Sequence, residues 1–108
     1  MFVLFDSITM TKIVRKIDSR NALFGEYAYQ VKPGAIVGGA REPRNWCREK
    51  WGNPRVWVEQ PVGNGSFRCW SERNPRWTEV KRPGYSSPFI YIRDEADAVM
   101  FGLVWAGK

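Results

Sequence analysis

The chain has 108 residues, with 17 Lys plus Arg against 11 Asp plus Glu and a formal net charge of +6. Hydrophobic residues make up 44% of the sequence and aromatic residues 15%, a composition that supports a packed core and excludes wholesale disorder. Histidine is absent, which excludes Ser-His-Asp and Cys-His catalysis and any zinc site that needs imidazole. The length is that of one domain, so we expect residues 1–108 to fold as a single unit.

The first third of the chain predicts short β-strands. Residues 2–5 are apolar, and residues 11–17 are β-branched with interleaved charges, both typical of strands. Residues 1–9 are alternatively a loose N-terminal extension. Residues 26–31 alternate and predict a further strand. The side chains expected on one face of it are Tyr27, Tyr29 and Val31.

The apolar runs and the cysteines indicate the compartment. No apolar run approaches the about 20 residues that a membrane span needs, and the N-terminus lacks the basic and apolar stretches of a secretory signal. Cys47 and Cys69 have neither metal-site nor CxxC spacing. They fit two half-buried thiols in a reducing compartment, with a disulfide between them as the alternative. We therefore expect a cytoplasmic protein that does not enter the membrane.

Residues 43–51 predict the first helix. Proline is favoured in a first helical turn, and Gly52 lies where a left-handed C-terminal cap is needed. Arg44 and Arg48 are four residues apart and share one face. The helix is therefore expected to be amphipathic with a basic edge.

A β-hairpin is predicted next. Residues 55–59 and 67–71 alternate, and residues 63–65 read Gly-Asn-Gly between them, which is a hairpin signal. Pairing of the two strands is expected to bring four side chains to one face: Trp57, Trp70, Arg55 and Arg68. The triplet Asn-Pro-Arg occurs at 53–55 and again at 74–76, which predicts two turns entering two strands.

The last third combines a loop, a strand and a helix. Residues 73–87 are rich in Pro, Arg and Gly and are expected to form a long loop. Residues 89–92 predict a strand, and Asp94 is expected to cap a helix over 95–100. The residues after this helix fit either more helix or a final strand, and the alternation of Phe101, Leu103 and Trp105 favours the strand.

These elements predict an α+β fold. We expect a small antiparallel or mixed β-sheet of four to six strands with two short helices on one face. A ferredoxin-like arrangement is one form that such elements take.

The strongest functional signal lies in residues 41–82, which hold ten basic and five acidic residues and five of the six tryptophans. Arginine neutralises phosphates or carboxylates, and tryptophan stacks on unpaired bases or anchors protein interfaces. Interleaved Glu residues cancel part of the charge, and some tryptophans, first Trp51 and Trp105, are expected in the core. The residues expected to contact a partner are Arg44, Arg48, Arg55, Trp57, Arg68, Trp70, Arg73, Arg76 and Trp77.

Catalytic and metal chemistry find little support. Asp94, Glu95 and Asp97 lie close together, but carboxylates at a helix start are explained by the helix dipole without a metal ion. Cys47 has no histidine partner for nucleophilic catalysis. We expect no enzyme activity, no metal and no cofactor.

The end of the chain resembles small uncharacterised bacteriophage proteins. In these, a strand leads into an Asp-Ala dipeptide followed by Phe, Leu and Trp at alternate positions, as at 89–105 here, where residues 97–105 read DAVMFGLVW. The helix at 45–52 is similar to theirs as well. The likeness covers about 25 residues, and Gly102 departs from it at a position where a charged residue is expected. The resemblance implies viral origin but no activity and no site residues.

Together these observations predict a non-enzymatic, phage-encoded accessory protein with a basic, Trp/Arg-rich binding face. The expected partner is an acidic protein surface or a host or viral complex that handles nucleic acid. The alternatives are direct binding of DNA or RNA, and a structural virion component. The last of these would self-associate, with the strand at 1–17 as the expected edge.

Overall fold

The structure is a computed structural model that describes residues 13–36, 38–39 and 41–105. The expected strand at 2–5 and the expected extension at 1–9 lie outside these residues. The strands are β1 (Val14–Lys16), β2 (Tyr29–Val31), β3 (Arg55–Val62), β4 (Gly65–Arg73), β5 (Trp77–Val80) and β6 (Phe89–Ile92). The helices are α1 (Arg41–Trp51) and α2 (Glu95–Trp105), and a 3₁₀ turn spans Pro33–Ala35.

Four strands form one sheet in the order β1-β2-β6-β5, and β3 and β4 form a separate two-stranded sheet. Every pairing in both sheets is antiparallel. The predicted small α+β fold is therefore confirmed. The described element order, β-β-α-β-β-β-β-α, differs from the ferredoxin-like β-α-β-β-α-β order.

Both helices pack on one face of the four-stranded sheet. Val31, Ile90 and Ile92 of the central strands form one buried cluster with Cys47 of α1 and Phe101 of α2. Helices on one face of an antiparallel sheet bury its apolar side against theirs. The expected placement of two helices on one face is confirmed.

The other face of the sheet is covered by the loop between β1 and β2. Tyr27 and Leu23 of this loop form a second buried cluster with Phe89 and Tyr91 of β6. Tyr27 therefore packs on the face opposite to Tyr29, so the prediction that the two share a face was wrong. The regular strand begins only at Tyr29, so the alternation does not extend back to residue 27.

Helix α1 follows its local signals. It begins two residues earlier than the sequence indicates and ends at Trp51, and Gly52 takes the left-handed conformation, with φ 91°, that the cap requires. Cys47 is a free, fully buried thiol, so the expected unbridged cysteine is confirmed at this position. Trp51 is buried, as expected.

Two predictions for the last third were wrong. Helix α2 runs to Trp105, so residues 101–105 are helical and not a strand. Helical spacing lets Phe101 and Trp105 both pack against Trp46 of α1, with ring centroids 5.9 and 6.4 Å away. Strand β5 lies inside the expected loop at 73–87, because it pairs with the next strand, β6, and that pairing outweighs the loop-forming composition around it.

Candidate functional site

Strands β3 and β4 form the predicted hairpin, with Gly63 and Asn64 at its turn. Within the described residues, each of these strands pairs only with the other. Residues 61–66 at the tip are exposed. In the part of the chain that the structure describes, the hairpin is therefore a two-stranded sheet of its own with no third strand.

The open end of the hairpin is fixed to helix α1 by Asn74. Its backbone N–H donates to the carbonyl oxygen of Pro54 at 2.8 Å, and its side-chain amide donates to the carbonyl oxygens of Trp51 at 2.8 Å and Asn53 at 2.9 Å. The two Asn-Pro-Arg triplets therefore meet at this point, each leading into a strand as the sequence predicts.

A pocket of about 520 Å³ lies at this open end, and we call it the hairpin-base pocket. Its principal lining residues are Glu26, Tyr27, Arg55, Arg73, Pro75 and Arg93. Arg55 and Arg73 are opposite each other in the hairpin register, and Arg93 directly follows β6. Three guanidinium groups from three separate strand ends thus line one concave surface.

One carboxylate lies among these arginines. Arg73 donates to Glu26 at 2.9 Å, and the two side chains are 38% and 56% exposed. An ion pair this exposed is screened and contributes at most about 1 kcal/mol. Another carboxylate can therefore replace that of Glu26 at a small cost in free energy.

Tyr27 forms the inner wall of the pocket. Its hydroxyl donates to the carbonyl oxygen of Asn74. Burial raises the pKa of Tyr27 and Glu26 adds to this, while Arg73 opposes them. The phenol therefore stays neutral at physiological pH and serves as a fixed donor at the base of the hairpin.

The hairpin-base pocket adjoins a second depression of about 330 Å³. The two share residues 25–27 and Arg93, and the second also holds Phe24, which is 55% exposed. A groove thus continues from the arginines past an exposed aromatic ring.

Four of the nine expected contact residues have structural roles. Arg44 and Arg48 both donate to the Glu79 carboxylate, Arg48 at 2.9 Å, so the two guanidinium groups share one counter-ion within the molecule. Arg76 forms a two-point pair with the buried Asp97, at 3.0 and 3.2 Å. These arginines link the helices to the sheet.

Trp77 is the fourth expected contact residue that has a structural role. Its side chain is fully buried in the core, and its indole nitrogen donates to the carbonyl oxygen of Gly52 at 2.7 Å. The expectation that Trp77 contacts a partner was wrong, because its ring is inaccessible while the domain is folded.

Three further expected residues lie in the hairpin. Trp57 and Trp70 are directly opposite each other, and Arg68 is opposite Glu59. Their backbone register matches the predicted pairing, and their side chains lie outside the described part of the structure. Arg55 and Arg73 are the two expected residues that the structure brings together in a pocket.

Sequence reasoning missed Glu26 and Arg93. A charged residue that directly follows the buried strand Phe89–Ile92 was the available signal for Arg93. Glu26 gave no signal, since its partner Arg73 is 47 residues away.

Across residues 13–36, 38–39 and 41–105, no group of three metal-ligating side chains is present. Burial, first, and the nearby Glu79 raise the pKa of the Cys47 thiol far above its usual value, which removes the thiolate that nucleophilic or redox chemistry needs. No described helix is long and apolar enough to cross a membrane.

No protein-family model, no curated protein and no solved structure matches this chain.

Proposed function

We propose that this chain is a non-enzymatic, phage-encoded binding protein whose hairpin-base pocket receives acidic side chains of a partner protein. The observation that supports it is the convergence of Arg55, Arg73 and Arg93 on one open concave surface. Arginine presents a planar fork of donors that matches a carboxylate at two points.

The pair between Arg73 and Glu26 supports a carboxylate as the ligand. Glu26 already places a carboxylate against one of the three arginines, with contacts of 2.9 and 3.3 Å. A partner's Asp or Glu would take an equivalent place on Arg93, or displace Glu26 itself. Arginine is also enriched among the residues that carry most of the energy of protein interfaces.

The hairpin extends this surface beyond the pocket. Trp57 and Trp70 are opposite each other, two and three residues from Arg55 and Arg73 along their strands. An interface that combines arginines at one end with tryptophans along a ribbon has the composition of a binding hot spot.

The test is a fluorescence-anisotropy titration of a labelled Glu-rich peptide with the wild-type protein and with Arg55→Gln/Arg73→Gln. The matched control is Arg41→Gln, an exposed arginine of α1 outside this pocket. We expect the double variant to lose at least about tenfold in affinity, since a charge-assisted hydrogen bond contributes about 1.5–3 kcal/mol. Equal losses in the double variant and the control would refute the proposal.

Direct nucleic-acid binding is the second candidate, and the groove past Phe24 favours it. Arginines joined to an exposed aromatic ring can bind a phosphate backbone and stack on an unpaired base. Labelled single- and double-stranded oligonucleotides in the same titration separate the two candidates. If the chain binds nucleic acid, the logarithm of the affinity should fall linearly with the logarithm of the salt concentration between about 50 and 300 mM. The slope should be on the order of one unit per phosphate contacted.

A virion component is a third candidate that one observation favours. Among the described residues, strand β1 lies at an edge of the four-stranded sheet, and an edge strand can pair with a second copy. Concentration-dependent self-association in analytical ultracentrifugation is expected for this role.

A further inference from the structure

A second basic pocket lies on the sheet face opposite to the helices, and we call it the sheet-face pocket. It has a volume of about 390 Å³ and is lined mainly by Arg15, Lys16, Asp18, Arg20, Asn21 and Arg82. Four of these side chains are cationic and one is a carboxylate. The lining residues named for it and for the hairpin-base pocket do not overlap.

The hydroxyl of Tyr91 lies behind this lining. Tyr91 is completely buried, and its hydroxyl oxygen accepts hydrogen bonds from Gln30 at 2.9 Å, Arg82 at 2.9 Å and Asn21 at 3.3 Å. Asn21 and Arg82 are themselves lining residues. The pocket wall is therefore connected to a buried polar network.

All three of these neighbours are donors, and none can be turned into an acceptor. The Gln30 amide oxygen already accepts from Arg15 Nε at 2.9 Å, and the Asn21 amide oxygen accepts from the Leu23 backbone N–H at 3.0 Å. Both amides therefore keep their NH₂ groups toward the hydroxyl. The Tyr91 hydroxyl carries a proton as well, and the described residues supply no acceptor for it. The network thus holds more donors than acceptors.

Two arginines of this pocket, Arg15 and Arg82, differ from the other paired arginines of the described residues. Carboxylates pair with Arg20, Arg44, Arg48, Arg73 and Arg76. Arg15 and Arg82 instead bond to an amide and a phenol oxygen, and no carboxylate among the described residues pairs with either. Arg82 is also held over the Phe89 ring, 5.0 Å from its centroid. Two guanidinium groups are therefore fixed in place by hydrogen bonds to neutral groups, and the Asp18 carboxylate acts on Arg15 through space.

We propose that the sheet-face pocket binds the phosphate group of a small molecule, with Arg15 and Arg82 donating to its oxygens. A phosphate carries several acceptor oxygens and up to two negative charges, which match fixed donors of this kind and the added charge of Lys16. The ligand supplies the acceptors that the network around Tyr91 lacks. This proposal does not depend on the function of the hairpin-base pocket.

Asp18 sets the affinity of this pocket. Its hydrogen bonds with Arg20 lower its pKa to about 2, so at neutral pH it is ionised and neutralises Arg20. Asp18 Oδ1 also accepts from the backbone N–H of Arg20 at 3.0 Å, and an asparagine would keep that oxygen. Asp18→Asn is therefore expected to preserve the turn, release Arg20 and strengthen phosphate binding.

The experiment is isothermal titration of the full chain with orthophosphate and, separately, with glycerol 3-phosphate, at constant ionic strength set with chloride. The variants are Arg15→Gln, Arg82→Gln and Asp18→Asn, and Arg93→Gln is the matched control because Arg93 does not line the sheet-face pocket. We expect a Kd of about 1 mM or tighter for at least one ligand. Each arginine variant should weaken binding about tenfold, since each removes a charge-assisted donor.

The signs of the changes decide the result. Loss in Arg15→Gln and Arg82→Gln, tighter binding in Asp18→Asn and no change in Arg93→Gln support the proposal. Tighter binding of glycerol 3-phosphate identifies an organic monoester, and tighter binding of orthophosphate identifies free phosphate. No saturable binding of either ligand by the wild type, or equal loss in Arg93→Gln, overturns it. If a variant fails to fold, the test is made on the wild-type protein by NMR. Adding phosphate should then shift arginine Nε–H signals. If none of these signals moves, the proposal is overturned.

Discussion

The side-chain amide of Asn74 donates to the carbonyl oxygen of Trp51 at 2.8 Å. This hydrogen bond joins the segment between β4 and β5 to the last residue of helix α1. The same amide donates to the carbonyl oxygen of Asn53. A Cβ added at Gly52, between these two carbonyls, would lie 3.5 Å from the Asn74 amide nitrogen. One polar side chain therefore determines how the hairpin base, and with it the hairpin-base pocket, is held against the body.

Asn74→Ala is expected to destabilise the fold by about 1–3 kcal/mol, because the part-buried hydrogen bond to the Trp51 carbonyl oxygen and the exposed one to the Asn53 carbonyl oxygen are lost. Urea unfolding followed by circular dichroism measures the change. The control is Asn53→Ala, which removes an exposed side chain but keeps the backbone carbonyl. It should stay within about 0.5 kcal/mol of the wild type, and similar losses in the two variants would contradict the role of Asn74.

Trp77→Phe is expected to lower the free energy of unfolding by about 2–4 kcal/mol. The change removes the hydrogen bond to Gly52 and leaves a cavity at a fully buried position. Peptide affinity of the folded protein should not change, since the ring does not reach the surface. Phe24→Ala, at a 55% exposed aromatic, is the stability control and should cost less than about 1 kcal/mol. A Trp77 variant with native stability and lost binding would place Trp77 in the interface.

Local signals account for the parts of the fold that the sequence predicts correctly. Helix α1 has proline in its first turn and glycine at its end, and the hairpin has Gly-Asn-Gly between two alternating runs. The wrong predictions depend on contacts with partners outside the segment itself. Strand β5 exists because β6 pairs with it, and α2 continues to Trp105 because Trp46 packs against that end.

The same distinction applies to the candidate site. The excess of arginine in the middle of the chain is visible in the sequence, but its distribution into internal ion pairs is not. Arg44 and Arg76 lie 35 and 21 residues from the carboxylates that pair with them. Sequence reasoning therefore identified the hairpin arginines Arg55 and Arg73 but not which of the remaining cations face solvent.

Glu79→Gln is expected to destabilise the protein by about 1–3 kcal/mol, because two half-buried guanidinium groups lose a shared counter-ion. The effect should shrink in a background that also carries Arg44→Gln and Arg48→Gln, where no unpaired charge remains. Chemical denaturation of the wild type, the Glu79→Gln variant, the Arg44→Gln/Arg48→Gln variant and the triple variant gives the coupling energy between Glu79 and the two arginines.

Glu49→Gln serves as the control for this series, since Glu49 is an exposed acid on the same helix. It should change stability by less than about 0.5 kcal/mol. Arg44→Gln and Arg48→Gln should leave acidic-peptide binding intact in the folded protein. Strong loss of acidic-peptide binding in either folded variant would mean that these arginines contact the partner.

Stability is expected to fall as the pH rises above about 9, and Cys47 causes part of this fall. Burial holds the folded-state pKa of its thiol above the value of 9.0 for an unfolded chain. Between these two pKa values the unfolded state binds fewer protons than the folded state, so the free energy of unfolding decreases with rising pH. Cys47→Ala removes this contribution while lowering stability by a constant amount at every pH. Urea unfolding at pH 7, 8, 9 and 10 should therefore give a shallower alkaline slope for the variant, with Cys69 present in both proteins. Parallel slopes would mean that the thiol is not the group that titrates.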